Sequence, residues 1–204
     1  MNTWKSIASL EHRYEVCLET KEVRIAKNHK RLKINKLGHY NSSWGLGVSG
    51  SKYKWGRSIG SLMDEVFPFW WIHDLNLQEK CKEIYEFPGY YITTEGRIYS
   101  TRSHSWIEGT YKSPYYYFVV LYKSGKRHKR HIHSLVGRNF LSEYKEGMFI
   151  LHKDETLSYP EINYLDNLWV GTCKDNNVDR CEKGRSGGWM VGKKYNEVLQ
   201  TGIL

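Results

Sequence analysis

Two polar residues, His152 and Asn176, have the types and the setting of a small hydrolytic site. A short apolar run ends in His152, a second apolar run follows Asn167, and the polar segment after it carries Asn176. Imidazole titrates near neutral pH and can remove a proton from water. An asparagine oxygen suits Mg²⁺, which keeps most of its waters and binds phosphate oxygens. Singly, each residue is more often structural; together they predict metal-assisted phosphodiester cleavage.

The elements that must position these residues are two strands and a helix. Thr172 and Asp175 have the spacing of a capping box, with aspartate in place of the more usual glutamate, so the helix would begin near Cys173. Gly184 is expected to end it, because glycine readily adopts the left-handed conformation that follows many helices. His152, at the end of the first strand, would then face this helix.

The periodicity of the helix assigns its residues to two faces. Asn176, Arg180 and Lys183 are separated by four and then three residues, which places them on one face. Val178 and Cys181 lie toward another face and suit packing against the strands. We therefore expect two cations on the same side of the helix as Asn176.

The composition favours a folded protein with a polyanionic partner. The 204 residues include 31 Lys and Arg against 22 Asp and Glu, a formal charge of +9, and 15% are aromatic. The charge favours nucleic acid as the partner, and the aromatic content argues against disorder. The four cysteines form no CxxC pair, so reduced thiols are expected. No stretch is apolar enough to span a membrane and no signal peptide is visible, so we expect a soluble protein.

Two stretches, residues 4–67 and 81–140, read as copies of one module, each an antiparallel sheet closed by a helix. The matching segments are 4–7 with 81–84, 14–16 with 90–92, 22–24 with 96–98, and 59–67 with 132–140. In the second copy, Glu95 and Gly96 predict a hairpin turn. Its expected strands are 91–94, 97–100, 115–122 and 127–132, and its expected helix is 134–141.

The segment between the copies and the clusters of cations each allow two interpretations. Phe69, Trp70 and Trp71 favour packing of the modules against each other over stacking on bases. The cations cluster at 21–36, 123–133 and 174–194. Each cluster is as consistent with a solvated surface as with contacts to a phosphate backbone.

The ordered motifs between residues 80 and 186 resemble the HNH homing endonucleases, ββα-metal nucleases common in phage genomes and group I introns. The residues that carry the resemblance are 132–136, Phe140, 151–154, 167–169, 171–172, 175–176 and 183–185. The stretch before them, at 82–84, Tyr90, 96–98 and Ser100, is similar to a small DNA-contacting module that often precedes the cassette. The resemblance implies an α+β fold in which a ββα-metal (His-Me finger) HNH cassette follows two small antiparallel-sheet modules.

The resemblance also implies how the chain is divided. The predicted parts are a diverged, non-catalytic module at 1–67, an aromatic linker at 68–80, a DNA-contacting module at 81–147, the cassette at 148–186 and a tail at 187–204. The tail is expected to be too short for a helix-turn-helix recognition domain. Any sequence specificity would then come from the two sheet modules.

The roles of individual residues follow from the resemblance. His152 would be the general base, Asn167 would tie down the loop and help orient that base, and Asn176 would be the ligand of Mg²⁺ or a similar divalent ion. His133 matches the family's helix-opening histidine, which is structural or contacts phosphate. The residues expected at the DNA are His133, Lys126, Arg127, Lys129, Arg130, Arg180, Lys183 and Arg185.

Two positions depart from the family pattern. Many members have an aspartate before the base histidine as a second metal ligand, and this chain has Leu151. Glu155 stands where the family usually has a glycine after the aspartate. Some branches with a similar ending hold the metal through asparagine alone, so the departure implies a weaker metal site.

The leading prediction is a metal-dependent HNH endonuclease that nicks or cuts double-stranded DNA. It would act in the cytoplasm of a phage-infected bacterium, without a membrane partner. The sequence leaves the oligomeric state open and is compatible with a monomer. The alternative is a catalytically weak or inactive HNH-fold protein that binds DNA or a protein, which Leu151 and the duplicated module favour. A role in RNA binding or in a virion rests on charge and aromatic content alone.

Overall fold

The computed structural model describes residues 2–32, 35–36, 44–46, 57–113 and 116–185. Within these ranges the chain forms five small antiparallel sheets and three α-helices, so the predicted α+β class is confirmed. The chain divides into two compact units, residues 1–93 with 97–108 and residues 94–96 with 109–204. No helix in the described ranges is long and apolar enough to cross a membrane. The predicted tail and the end of the third basic cluster lie outside them.

The first unit contains three small sheets and one α-helix in its described residues. The sheets have the orders β1-β2-β3, β4-β5-β6 and β10-β9-β8-β7. The helix is α1 (Ile59–Val66), and the strands are β1 (Trp4–Ser6), β2 (Tyr14–Cys17), β3 (Val23–Ile25), β4 (Asn35–Lys36), β5 (Trp44–Leu46), β6 (Arg57–Ser58), β7 (Cys81–Glu83), β8 (Tyr90–Thr93), β9 (Ile98–Ser100) and β10 (Ser105–Ile107).

The first three strands of the two predicted copies pair in the same way, but the four strands predicted for the second copy lie in two sheets and not in one. β1, β2 and β3 have the same order and register as β7, β8 and β9. Val23 lies opposite Val16, and Ile98 lies opposite Ile92. Val23 therefore matches Ile98, one residue further along than the sequence match suggests, because the turn after β2 is one residue longer than the turn after β8 and the sequence match implies two. Common descent of the copies stays a prediction, as do the domain boundaries.

The tryptophans of the linker lie at the centre of the first unit's core. Trp70 and Trp71 are buried, and Trp71 stacks on Tyr99 with ring centroids 4.7 Å apart. The core around them combines residues of both predicted copies. Phe69 is half-exposed and meets Trp71 edge-on. Because both tryptophans are buried among residues of both copies, their predicted packing role is confirmed. Rings of this size contribute much of the core's apolar area.

The second unit contains two sheets and two α-helices in its described residues. The sheets have the orders β11-β12-β13 and β14-β15. Their strands are β11 (Thr110–Ser113), β12 (Tyr116–Lys123), β13 (Lys126–His131), β14 (Phe149–His152) and β15 (Leu168–Gly171), and the helices are α2 (Ile132–Phe140) and α3 (Cys173–Glu182). The predicted strands and helices of this region are confirmed with shifts of one or two residues at their ends.

A glycine brings α2 onto β14. A Cβ atom at Gly137 would lie 2.6 to 2.7 Å from three side-chain carbons of Ile150, closer than carbon atoms approach in proteins. Glycine is therefore required where the helix crosses the strand. The close crossing places the start of α2, with His133, beside the end of β14, with His152.

Candidate active site

A cavity of about 410 Å³ in the second unit is lined by residues of α2, β14 and α3. His152 and Asn176, which the sequence assigns to one site, both line it. Asn167 is not a lining residue; it lies in the connection between β14 and β15, directly before β15. The remaining lining residues are Tyr116, His133, Ser134, Arg138, Gly147, Met148, Phe149, Ile150, Leu151, Glu155, Asp179 and Arg185.

His152 ends β14, opposite Leu168 of β15, and only 3% of it is exposed. Burial lowers the pKa of its imidazole to about 4, helped by the positive charges of Lys183 and Arg185 and opposed by Asp179. The ring is therefore neutral at pH 7. Its Nε2 atom is buried and makes no hydrogen bond within the described residues. A neutral imidazole with an unpartnered nitrogen has the form that a general base requires.

A second histidine forms part of the cavity wall. His133 is 6% exposed, and its ring centroid lies 4.6 Å from that of His152 and 5.5 Å from that of Tyr116. Burial, followed by the nearby His152 and His131, holds the pKa of His133 well below its ordinary value. The structure thus places His133 against the predicted base, and its contact with DNA stays a prediction.

Asn167 holds the segment that follows β14. Its Oδ1 accepts a hydrogen bond from the main-chain nitrogen of Asp154 at 2.8 Å, and its Nδ2 donates to the carbonyl oxygens of Asp154 at 2.9 Å and Ile162 at 3.0 Å. Three bonds from one buried amide fix the loop at a point two residues after His152. This is the loop-fixing geometry that the sequence predicts, while its effect on the orientation of the base stays a prediction.

Helix α3 begins with the predicted capping box between Thr172 and Asp175, and the chain leaves it through Gly184, whose φ of +64° favours glycine. Asn176 is half-buried and lines the cavity, as expected. The predicted polar face is wrong in one respect, because the buried position is Asp179 and Arg180 is exposed outside the cavity. The side of α3 that carries Asn176 and Asp179 faces inward because it packs against β14.

Four charged side chains form an ion-pair network beside the cavity. Lys183 Nζ lies 2.6 Å from Asp179 Oδ1 and 3.6 Å from Glu155 Oε1. Arg185 lies 3.0 Å from Glu155 Oε1 and also pairs with Asp179. The carboxylates of Glu155 and Asp179 are largely buried, at 11% and 9% side-chain exposure. Each of these buried charges has opposite charges beside it, which offsets the cost of removing it from water.

The pairing of β12 with β13 divides the basic hairpin between two faces. Arg127 and Lys129 are exposed and lie on the same face as Phe118, whose ring centroid is 3.5 Å from Lys129 Nζ. Lys126 and Arg130 lie on the other face, where the buried Val119 and Leu121 also lie. The reason is the two-residue period of a strand. Tyr116 is on the face of Arg127 and also lines the cavity, so this face leads to His152.

The side chains available as ligands beside Asn176 determine which metal ion the cavity suits. Leu151 is 8% exposed and offers no ligand, while the carboxylates of Glu155 and Asp179 are paired with cations. In the described ranges no three His, Cys, Asp or Glu residues are grouped to hold an ion. The amide of Asn176 fits an ion that takes its other ligands from water and phosphate, which is how Mg²⁺ is commonly bound.

Three residues of this site are not predicted from the sequence. Asp179 gives no signal, because an aspartate in an amphipathic helix is usually solvated. Glu155 is noticed only as a departure from a family pattern. Tyr116 is predicted as a strand residue, yet its ring lies 6.3 Å from that of His152. Only the long-range packing of the second unit brings these residues to the cavity.

No protein-family model matches the chain. Over 103 residues it is 34% identical to the H-N-H endonuclease F-TflII of Escherichia phage T5, covering 49% of this chain and 51% of that protein. Over 105 residues it is 31% identical to the DNA endonuclease I-HmuI of Bacillus phage SP01, covering 50% and 58%. Its named homologues are phage HNH endonucleases. The predicted resemblance is thereby confirmed, and the chain spans about half the length of these relatives.

A solved structure of DNA binding and cleavage by the HNH homing endonuclease I-HmuI is also similar to this chain. The two are 26% identical with a TM-score of 0.47, and the match covers 58% of this chain and 66% of the other. The roles of His152, Asn167 and Asn176 stay predictions.

Proposed function

We propose that this chain is a metal-dependent HNH endonuclease that nicks or cuts double-stranded DNA. The observation that carries the proposal is the buried, neutral His152, which has an unpartnered Nε2 and lines a cavity that Asn176 also lines. β14, β15 and α3 would together be the ββα-metal cassette. His152 would take a proton from the attacking water, and the water oxygen would then bond to the scissile phosphorus as the 3′-oxygen leaves.

Asn176 would hold Mg²⁺ or a similar divalent ion through its side-chain oxygen. When bound, such an ion stabilises the leaving oxygen and the charge that develops on the phosphate. Because Leu151 supplies no second ligand, water and the DNA phosphate would complete the coordination. We therefore expect activity to require a higher ion concentration than a site with two protein ligands would.

The proposed partner is the backbone of duplex DNA, held by the basic side chains of the second unit. Arg127 and Lys129 are on the face that leads to the cavity, and Arg185 lines the cavity itself. Contacts of this kind give affinity that depends on salt and not on sequence. Lys126, Arg130, Arg180 and His133 remain candidates by resemblance. Action in the cytoplasm of a phage-infected bacterium is part of the same proposal.

A second candidate function is binding without cleavage. Its motivation is Leu151, which occupies the place of a metal ligand in many relatives and is buried in the cavity wall. In that case DNA or a protein would bind the basic surface, and Asn176→Ala would leave the effect of the protein unchanged while the fold is retained.

Nicking of supercoiled plasmid separates the two candidates. The wild-type protein is incubated with plasmid over a range of Mg²⁺ and salt concentrations, beside an EDTA control and the variants His152→Ala and Asn176→Ala. His73→Ala serves as the matched histidine control, because His73 is exposed and does not line the cavity. Endonuclease activity predicts nicked or linear plasmid with wild type and His73→Ala alone. Intact plasmid in every lane, with DNA still bound in a gel-shift assay, would support binding without cleavage.

A further inference from the structure

The two cations after α3 are separated by one glycine, yet they occupy different places. Arg185 lines the cavity, whereas Lys183 does not. Resemblance assigns both to the DNA. The contacts of Lys183 point to another role.

The ammonium group of Lys183 is directed into the protein. Its Nζ donates a hydrogen bond to the main-chain carbonyl oxygen of His152 at 2.5 Å and lies 2.6 Å from Asp179 Oδ1. Glu155 Oε1, at 3.6 Å, is the third oxygen around it. A lysine ammonium has three hydrogen atoms to donate, so three nearby acceptors leave little for a phosphate.

We propose that Lys183 is a positioning residue for His152, acting from inside the protein and not as a contact to DNA. This inference rests on the proposed endonuclease function. The hydrogen bond joins the residue after α3 to the last residue of β14. Asp179 and Glu155 hold the ammonium group in place, and Arg185 pairs with the same two carboxylates. The four side chains together fix the distance between the strand that carries the base and the helix that carries Asn176.

Positioning of this kind acts on the rate of the chemical step. A base displaced by about 1 Å from its productive place can lose on the order of 100-fold in rate, although the DNA is bound as before. A lost phosphate contact has the opposite signature, since it weakens binding and lowers the slope of log Kd against log salt by roughly one. The two roles of Lys183 therefore predict different measurements.

The test compares Lys183→Met with Lys174→Met on the same protein. Lys174 is exposed in the first turn of α3, so it is the matched loss of one charge from the same helix. Single-turnover cleavage is measured at saturating DNA with Mg²⁺, and Kd is measured over a range of salt concentrations with Ca²⁺ in place of Mg²⁺. We expect Lys183→Met to cleave roughly 10- to 100-fold more slowly, with Kd and its salt slope equal to those of Lys174→Met.

Two outcomes would overturn the inference. One is a weaker Kd with a shallower salt slope and an unchanged rate at saturation, which would make Lys183 a DNA contact. The other is an unchanged rate and an unchanged Kd while the wild type cleaves normally. If wild-type protein cleaves nothing, the proposed function fails separately, and the inference is judged from the ring-proton resonances of His152 without DNA. They should shift in Lys183→Met and not in Lys174→Met, and unshifted resonances would count against it.

A milder variant serves as the control for loss of folding. Lys183→Gln keeps an amide donor while losing the charge, and its folded fraction is checked by thermal unfolding before the rates are measured. It should retain the wild-type Kd and cleave at a rate between those of Lys183→Met and wild type. A rate equal to wild type at a reduced stability would show that Lys183 stabilises the fold only.

Discussion

The imidazole rings of His133 and His152 lie edge to face, with centroids 4.6 Å apart. One ring comes from the first turn of α2 and the other from the last residue of β14. Both are buried, and burial is the main cause that lowers the pKa of each ring. The contact joins the first turn of α2 to the end of β14, which carries the proposed base. It also means that a proton on either ring disfavours a proton on the other.

The first prediction is a loss of stability as the pH falls below about 6.5. In the unfolded chain both histidines take up protons as the pH falls through this value. In the folded protein His152, with a pKa of about 4, and His133 stay neutral. Stability is therefore fully present above the ordinary histidine pKa and decreases as the pH falls toward the folded value. For His152 alone the loss between about pH 7 and about pH 5 is on the order of 2 kcal/mol. Urea unfolding at the two pH values measures it.

The variant His133→Phe isolates the histidine contribution, because phenylalanine keeps a ring in the wall and cannot titrate. Carboxylates with a lowered pKa, such as Glu79, contribute equally in both proteins and cancel in the comparison. The variant should lose less stability on acidification than wild type. Identical pH dependence in the two proteins would show that His133 takes up a proton as readily in the fold as in the unfolded chain.

The second prediction concerns Leu151, which stands where the family resemblance implies a second metal ligand. Leu151→Asp places a carboxylate in the cavity wall that Asn176 also lines. Since an added anionic ligand binds the ion more tightly, the Mg²⁺ concentration for half-maximal nicking should fall about tenfold. Loss of a buried leucine should cost about 2 to 5 kcal/mol of stability. Leu151→Asn is the uncharged control, and an equal effect of both substitutions would mean that charge is not the cause.

The third prediction tests the crossing of α2 with β14. Alanine normally stabilises a helix by about 1 kcal/mol relative to glycine. At Gly137 the added Cβ would lie 2.6 Å from carbon atoms of Ile150, so Gly137→Ala should instead destabilise the protein by roughly 1 to 3 kcal/mol. In an Ile150→Ala background the clash is absent and the alanine should cost nothing. A double-mutant cycle without coupling between the two positions would contradict the crossing.

Local chemistry explains the parts that the sequence predicts well. Thr172 and Asp175 bond to each other's main-chain nitrogen atoms, so their spacing alone specifies where α3 begins. The turn at Gly96, with a φ of +75°, needs a residue that tolerates the left-handed region. Such signals depend on a few neighbouring residues, so they predict the same local structure in any fold.

The remaining parts depend on contacts between distant residues. Asp179 and Glu155 are 24 positions apart, and nothing near either one specifies that Arg185 pairs with both. The inward side of α3 could not be read from a period of 3.6, because a buried ion pair places a charged residue where the pattern expects an apolar one. His133 reads as a helix-opening residue, and only the close crossing at Gly137 brings it to His152.

The last prediction separates the two faces of the basic hairpin. Arg127 and Lys129 are on the face that includes Tyr116 and leads to the cavity, whereas Lys126 and Arg130 are on the face of the buried Val119 and Leu121. The double variants Arg127→Ala with Lys129→Ala and Lys126→Ala with Arg130→Ala remove the same charge. If DNA follows the first face, the first variant should lower the slope of log Kd against log salt by about 2, and the second should change it little. Gel-shift titrations over a range of salt concentrations measure both slopes. Equal slopes in the two variants would mean that the hairpin attracts DNA through its total charge, because contact with one face cannot treat the pairs alike.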